Sequence, residues 1–329
     1  MRVLITGVTG FVGGHLVEHL RRAAPEAELW GLAWAEDPGQ VPDGVQQLSG
    51  DLALPASLLR SLELARPEVV FHLAGATSVA SSWQQPDRSF QVNALGTLNL
   101  LEALRTIGLG ATVVVASSAE VYGSVPAEAQ PIAESVPLAP ISPYAASKAA
   151  QDLIAEQYFR GFAMPTVRLR LFPHTGPRRP PQFAASSFAR QIVRIERGLA
   201  PPRLAVGNLQ AIRDFSDVRD VARAYWLAAS RGRPGAAYNV GWGRGVRIGE
   251  VVEILRSRLE AHGAVVTVVR NPFTALDQLR RAVYDAVVSD ACLWANGGSL
   301  LFDRIRQSDP GTPVLVLGEA AGSSEGRGH

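Results

Sequence analysis

Three glycines, Gly7, Gly10 and Gly13, mark the passage from the apolar run Val3 to Thr6 into an amphipathic run that begins at Phe11. This strand, glycine turn and helix at the very start of the chain constrains the fold more than any other feature. Glycine at such a turn allows a tight reversal, close approach of a pyrophosphate to the backbone, and close packing of helix on strand. The helix that follows turns its first N–H groups and its positive end toward the phosphates. The segment Gly7-Val8-Thr9-Gly10-Phe11-Val12-Gly13 therefore points to dinucleotide binding, because its context and not its spacing alone fits.

Downstream, short β-rich runs alternate with longer amphipathic ones, the pattern of a parallel sheet covered by helices. Strands are expected at Val3 to Thr6, Glu28 to Ala33, Val45 to Ser49, Val69 to Leu73, Val113 to Ser117 and Val167 to Leu171. Helices are expected at Phe11 to Ala23, Pro55 to Ala65, Pro86 to Thr106 and Pro143 to Arg160. The fold class is α/β, a doubly wound parallel sheet with a smaller α/β substrate-binding domain. After Leu171 a Pro/Arg-rich loop, His174 to Pro181, changes the texture; helices follow at Phe183 to Arg197, Asp217 to Ala229 and Ile248 to His262, with short strands near Leu204, Ala237 and Val265. The expected organisation is a dinucleotide-binding domain over 1–171, a substrate domain over 172–272 and an atypical segment over 273–329. The Gly/Ser-rich end, Ala320 to His329, is expected to be disordered.

Composition narrows the function classes. Hydrophobic residues make up 47% of the 329 residues, and no stretch reaches the roughly 18 apolar residues of a membrane span. Met1 leads straight into a strand, without the regions of a secretory signal, so a cytoplasmic protein is expected. A single cysteine, Cys292, leaves no disulfide framework and no multi-cysteine metal site; no metal is expected. The net charge is only +2 and no dense basic tract occurs, which argues against a nucleic-acid partner. Lys and Arg together number 32, yet Lys148 is the only lysine. A lysine kept in an arginine background marks a place where a compact ammonium with a mobile pKa is wanted and a planar guanidinium is not.

Lys148 lies four residues after Tyr144, on a helix started by Ser142 and Pro143, so the two side chains share a face. Tyrosine ionises near pH 10; a neighbouring ammonium favours the phenolate and brings it toward useful acid–base chemistry. Ser118 closes an apolar strand at its carboxyl end, where open α/β sheets bind ligands. Together they suit a reaction in which Ser118 holds a reacting oxygen and Tyr144 passes it a proton while hydride moves to or from a nicotinamide.

GVTGFVG at 7–13, GDL at 50–52, HLAG at 72–75, Asn93 before a helix, SSAEVYG at 117–123 and SPYAASK at 142–148 resemble the extended short-chain dehydrogenase/reductase family, whose sheet is the Rossmann fold. The resemblance covers Met1 to about Pro272. It implies catalytic Ser118, Tyr144 and Lys148, with Lys148 also on the nicotinamide ribose, and a cofactor lined by Gly7, Gly10, Phe11, Val12, Gly13, Asp51, Leu52, Leu73, Ala74, Gly75 and Asn93. Asp51 reads either as a partner of the adenine or as a helix-capping aspartate. Trp34 ends the second strand where an acidic ribose ligand is usual, Glu36 and Asp37 follow it, and no arginine there selects a 2′-phosphate; NADP and NAD both remain open.

The second half, through SFARQIVRIERG at 187–198, VGNLQAIRDFSDVRDVARAYWLA at 206–228 and YNVGWGRGVRIGEVVEIL at 238–255, is most similar to the GDP-4-keto-6-deoxy-mannose reductases, with the GDP-mannose 4,6-dehydratases as near relatives. That implies a GDP-linked sugar substrate, Arg213 on its diphosphate unless Asp214 or Asp217 pairs with it, and a homodimer formed through helices near Leu98 and Leu153. Glu120 is the further acid/base group that a dehydratase needs, and the reductases carry a glutamate there too. Ala119 departs from the Asp-Glu pair of dTDP-glucose dehydratases. Pro173 replaces an asparagine that usually touches the nucleotide-sugar, and Arg178 and Arg179 replace a Gly-Gln pair, offering compensating phosphate contacts. These departures also leave room for a nucleotide-binding relic without turnover. Beyond Pro272 the usual Arg-Pro-Glu and Gly-Trp-Pro segments are missing; YDAVVSD at 284–290 and the run at 300–319 faintly resemble part of a receiver domain, without the acidic pocket that phosphoryl transfer at Asp290 requires.

Overall fold

The computed structural model describes residues 1–34, 39–196, 199 and 206–260, together with two short strands at 287–290 and 314–317. Glu36, Asp37, Leu204, Val265 and the Gly/Ser-rich end all lie outside the described residues.

In chain order the first half runs β1 (Arg2–Thr6), α1 (Phe11–Ala23), β2 (Glu28–Ala33), β3 (Gln46–Ser49), α2 (Pro55–Ala65), β4 (Val69–His72), α3 (Val79–Gln84), α4 (Pro86–Phe90), a π-helical turn (Gln91–Leu95), α5 (Gly96–Ile107), β5 (Thr112–Ser118), α6 (Pro143–Phe162) and β6 (Thr166–Leu171). The second half adds β7 (His174–Thr175), α7 (Ala184–Glu196), β8 (Ile212–Asp214), β9 (Ser216–Asp217), α8 (Val218–Arg231), β10 (Ala237–Val240), β11 (Gly245–Arg247), α9 (Ile248–Glu260), β12 (Val287–Asp290) and β13 (Val314–Leu317).

Seven strands form one sheet in the order β10-β6-β5-β4-β1-β2-β3. Each recorded pairing within it is parallel. A parallel sheet is covered on both faces, and the strand residues divide accordingly with a period of two. Val3, Ile5, Phe71 and Val114 pack with Leu16 of α1 and Tyr225 of α8. Leu4, Val70, Val113 and Val115 pack with Leu62 of α2, Leu101 of α5 and Tyr158 of α6. From β1 the strand order proceeds one way through β2 and β3 and the other way through β4, β5 and β6. The crevice beyond the carboxyl ends of β1 and β4 is thus the topological switch point, where ligands of such sheets bind.

The chain divides into two compact units, 1–178 with 214–244, and 179–213 with 245–329. The expected break at 171 is therefore not where the first unit ends. Residues 214–244 return to it, because β10 adds to the sheet beside β6 and α8 packs against α1. In the second unit β12 and β13 pair in parallel.

One buried ionic cluster fixes α6 to the sheet. Asp152 is fully buried and receives Arg168 Nη1 at 3.0 Å, Arg170 Nε at 3.0 Å and Arg170 Nη2 at 3.1 Å. Arg170 also donates to Tyr122 Oη and to the Glu134 carbonyl, both at 2.9 Å, and Tyr122 Oη donates to Asn239 Oδ1 at 2.7 Å. Helix α6, strands β6 and β10 and the loop before α6 are tied together through two guanidinium groups. Removing the shared carboxylate leaves Arg170 buried without a counter-ion and Arg168 with Glu156 alone, so Asp152→Ala is expected to destabilise the first unit by about 3 kcal/mol in chemical denaturation. Arg160→Ala, which breaks only the exposed pair with Glu156, is expected to leave the transition nearly unmoved.

Candidate active site

The glycine turn has the geometry its sequence implies. Gly7 has φ +70°, and a Cβ there would lie 2.7 Å from the Ala74 backbone nitrogen, so the turn after β1 rests directly on the segment after β4. A Cβ on Gly13 would lie 2.4 Å from the Val8 carbonyl oxygen, which keeps α1 close over the turn. Gly10 is the N-cap of α1, exposed and without a side-chain cap, and the first turn of α1 holds no acidic residue. A thirteen-residue helix with no acidic residue in its first turn therefore presents its positive end at this turn. This cradle fits the pyrophosphate of a dinucleotide.

Around it, Leu73, Ala74 and Gly75 are half-buried in the crevice. Asp51 Oδ1 accepts the Ala53 N–H at 2.8 Å and forms a tight turn ahead of α2, whose N-cap is Leu54; Asp51 is not the helix cap. Leu52 gives its carbonyl to Asn99 at 2.8 Å and closes over Gly96. Asn93 builds the floor of the crevice. It is fully buried; Oδ1 accepts the Ala76 N–H at 2.8 Å, while Nδ2 donates to the Ala76 carbonyl at 3.1 Å and to Ser147 Oγ at 2.9 Å. Those three bonds use both N–H donors and one lone pair of Oδ1.

Ser118 ends β5, buried, and its Oγ accepts the Glu120 N–H at 3.2 Å, opening the tight turn Ala119–Tyr122. The hydroxyl hydrogen remains for a ligand. Helix α6 begins with Ser142 Oγ accepting the Ala145 N–H and with Pro143 in its first turn, as the sequence implies. Tyr144 is half-buried and Lys148, one turn on, is buried. Lys148 Nζ donates to the Ala116 carbonyl at 2.8 Å and to Gln151 Oε1 at 2.8 Å. Ala116 belongs to the strand that ends in Ser118, so one bond places the ammonium beside the serine's strand. A Cβ on Gly75 would come within 3.2 Å of Nζ and 2.8 Å of Asn93 Oδ1, so glycine here lets the lysine reach the cofactor floor. Burial brings Lys148 down to about 7 from its usual value. Burial, and then the charge of Lys148, holds the His72 imidazole at about 3.

The loop after β6 docks on α1. Phe11 and His174 stack with ring centroids 6.1 Å apart, and His15 Nε2 meets the Pro177 carbonyl at 3.0 Å. Arg178, at φ +69°, pairs with Glu18 at 2.7 Å and lowers that carboxyl below its ordinary value. Arg178 is thus engaged with α1. His15, Glu18 and His174 had no sequence signal, since their partners lie more than 150 residues away or on the opposite side of the turn. Pro173 contributes its carbonyl, which accepts the Ser216 N–H at 2.9 Å. Arg213 is exposed and turns Nη1 to the Ile212 carbonyl. Neither carboxylate considered for it is its partner: Asp214 receives the N–H groups of Trp242 and Gly243, and Asp217 holds Arg219. Among the described residues no group of three potential metal ligands occurs, and no helix is long and apolar enough to cross a membrane.

A parallel Rossmann sheet with an open glycine turn at β1, a serine at the end of β5 and a Tyr/Lys pair on the following helix defines an extended short-chain dehydrogenase/reductase. Residues 4–272 match the family described as GDP-mannose 4,6 dehydratase, and the chain belongs to that family. It is 40% identical over 254 residues to the GDP-6-deoxy-D-mannose reductase of Pseudomonas aeruginosa, covering 77% of this chain and 79% of the relative. It is 36% identical to GDP-mannose 4,6 dehydratase 2 of Arabidopsis thaliana, covering 70% of this chain and 65% of that protein. Among solved structures, RMD from Pseudomonas aeruginosa complexed with NADPH superimposes with a TM-score of 0.70 at 38% identity, over 79% of this chain and 85% of that one. Thermus thermophilus UDP-glucose 4-epimerase complexed with NAD gives 0.70 at 36% identity, over 82% and 86%.

Gly7→Ala, which meets both the positive φ and the Ala74 backbone, is expected to weaken NADPH or NAD binding at least about tenfold in a fluorescence titration. Gly110→Ala, where a Cβ meets nothing within 4 Å, should bind as wild type does.

Proposed function

We propose that this chain reduces the C4 keto group of a GDP-4-keto-6-deoxy-hexose with NADPH or NADH. The observation that carries the reading is the placement of Lys148: hydrogen-bonded to Ala116 of the strand that ends in Ser118, under Gly75, and one turn from Tyr144. The bound nicotinamide supplies a hydride to C4. Ser118 donates its hydroxyl hydrogen to the C4 oxygen and orients the carbonyl. Tyr144 delivers the proton that converts that oxygen to a hydroxyl, and the Lys148 ammonium stabilises the phenolate left behind. Arginine would deliver a larger fork that does not fit between Gly75 and the Ala116 carbonyl, and its pKa does not move. Arg213, exposed in the second unit, is the proposed partner of the GDP diphosphate.

A 4,6-dehydratase reading rests on Glu120, half-buried two residues after Ser118 and proposed as the further acid/base group. The two readings separate cleanly, because a dehydratase converts GDP-mannose alone whereas a reductase requires the keto sugar and consumes reduced cofactor.

Homodimer formation belongs to the same proposal. Trp83, Phe90, Leu95, Leu153 and Phe162 are exposed on α3, α4, the π-helical turn and α6, which pack against one another. Exposed apolar side chains on neighbouring helices support an interface there. A cytoplasmic location is proposed with it, a single cysteine fitting a reducing compartment.

Purified protein given GDP-4-dehydro-6-deoxy-D-mannose and NADPH is expected to oxidise the cofactor. Tyr144→Phe and Lys148→Arg should each lower kcat by about a hundredfold or more. Wild-type turnover in both variants contradicts the proposed roles.

A further inference from the structure

Lys148 is one end of a buried chain of neutral hydrogen-bonding side chains that the proposed reaction does not use. Gln151 Oε1 accepts from Lys148, and Gln151 Nε2 donates to Thr97 Oγ1 at 2.7 Å. Thr97 Oγ1 donates its one hydrogen to the Asn93 carbonyl at 2.7 Å. Toward His72 Nε2, 2.9 Å away, Thr97 can therefore only accept, which fixes the proton of the neutral imidazole on Nε2. His72 Nδ1 then accepts from Thr6 Oγ1 at 2.8 Å, and Thr6 Oγ1 accepts the Ala74 N–H at 3.2 Å. Thr6, His72, Thr97, Gln151 and Lys148 are all buried, and every donor direction in the chain follows from the one before it.

We propose that Gln151 is a positioning residue for Lys148, oriented by Thr97 and His72, and that this relay sets both the place and the proton affinity of the lysine by offering it neutral acceptors only. The inference rests on the proposed role of Lys148 and deepens it. The groups that titrate or carry charge around the ammonium are His72 on β4, Tyr144 and Asp152 on α6 itself, and Glu120 beyond β5; the π-helical turn presents Asn93, α5 presents Thr97, and β1 presents Thr6. Asp152 is engaged by Arg168 and Arg170. His72 stays neutral through the working range, since its imidazole is held at about 3. The relay thus supplies lone pairs without charge, and the lysine at about 7 gains or loses its proton near neutrality.

Because Lys148 is the only lysine, protein labelled with isotopic lysine gives a single side-chain NMR signal whose titration reads this group directly, with or without turnover. Gln151→Leu removes an acceptor from the ammonium and is expected to lower the titration midpoint by about one pH unit. Gln151→Glu places a carboxylate there and should raise it by a similar amount or more. Thr97→Val, which does not touch Lys148, should move the midpoint in the same direction as Gln151→Leu, and Thr97→Ser, which keeps the hydroxyl, should bring it back. The alkaline limb of kcat against pH should shift with the midpoint in each case. Variants that only lower the melting temperature, with the titration unmoved, overturn the relay. Shifted titrations in a protein that does not reduce the keto sugar leave the relay standing and defeat the proposed function. Reduction of the keto sugar with a midpoint that none of these substitutions moves defeats the relay alone.

Discussion

A buried ammonium with no carboxylate beside it is the constraint around which the first unit is organised. Lys148 is held by a backbone carbonyl and an amide oxygen, while Asp152, the acidic residue one turn further along α6, is bound to two arginines. Desolvation of the charge is left without a counter-ion, and its pKa falls to about 7. In the unfolded chain the same lysine keeps its ordinary, higher value. Between the two values the unfolded state binds the additional proton, so the stability contribution of this group improves as pH rises from about 7; below that its cost is fully present. A chain that tolerates this in its centre keeps a group with a mobile proton beside the strand that ends in Ser118.

The elements around Lys148 meet the consequences. The Asp152 cluster anchors α6 to β6 and β10, so the helix that carries Tyr144 and Lys148 is fixed by charge as well as by the apolar contacts of Ala155 and Tyr158. Asn93 ties the segment after β4 to Ser147 on the same helix. It does so from a π-helical turn, an irregularity that recurs at functional sites because it re-aims a side chain at the expense of regular bonding. The floor of the crevice and the catalytic helix are consequently one rigid body of hydrogen bonds, and Gly75 leaves the gap through which Nζ reaches it.

Much of this was legible in the sequence where the local signals are strong. Helix α1 runs from Phe11 to Ala23, β2 from Glu28 to Ala33 and α2 from Pro55 to Ala65, as periodicity and turn residues imply. The helical run expected over Pro86 to Thr106 is instead α4, the π turn and α5, because a single extra residue in the turn that carries Asn93 leaves no trace in apolar spacing. The buried face of α6 was harder still: Ser147, Lys148, Gln151 and Asp152 are polar, so hydrophobic periodicity cannot find it, and only their partners on β5, β6 and α5 account for their burial. Arg178 shows the same limit from the other side. A cation in a Pro-rich loop reads as a phosphate ligand, yet its partner is Glu18, 160 positions earlier, which no local pattern connects to it.

In the proposed reaction this site hands hydride to C4 of the sugar while Tyr144 gives its oxygen a proton. The most direct measurement uses NADPH carrying deuterium at the transferable position of the nicotinamide, with GDP-4-dehydro-6-deoxy-D-mannose as acceptor, and locates the label in the product by NMR. Deuterium is expected on C4 of the hexose, together with a slower turnover than with unlabelled cofactor. A product without deuterium at C4, or a cofactor that keeps its label while the sugar changes, would contradict the proposed reaction.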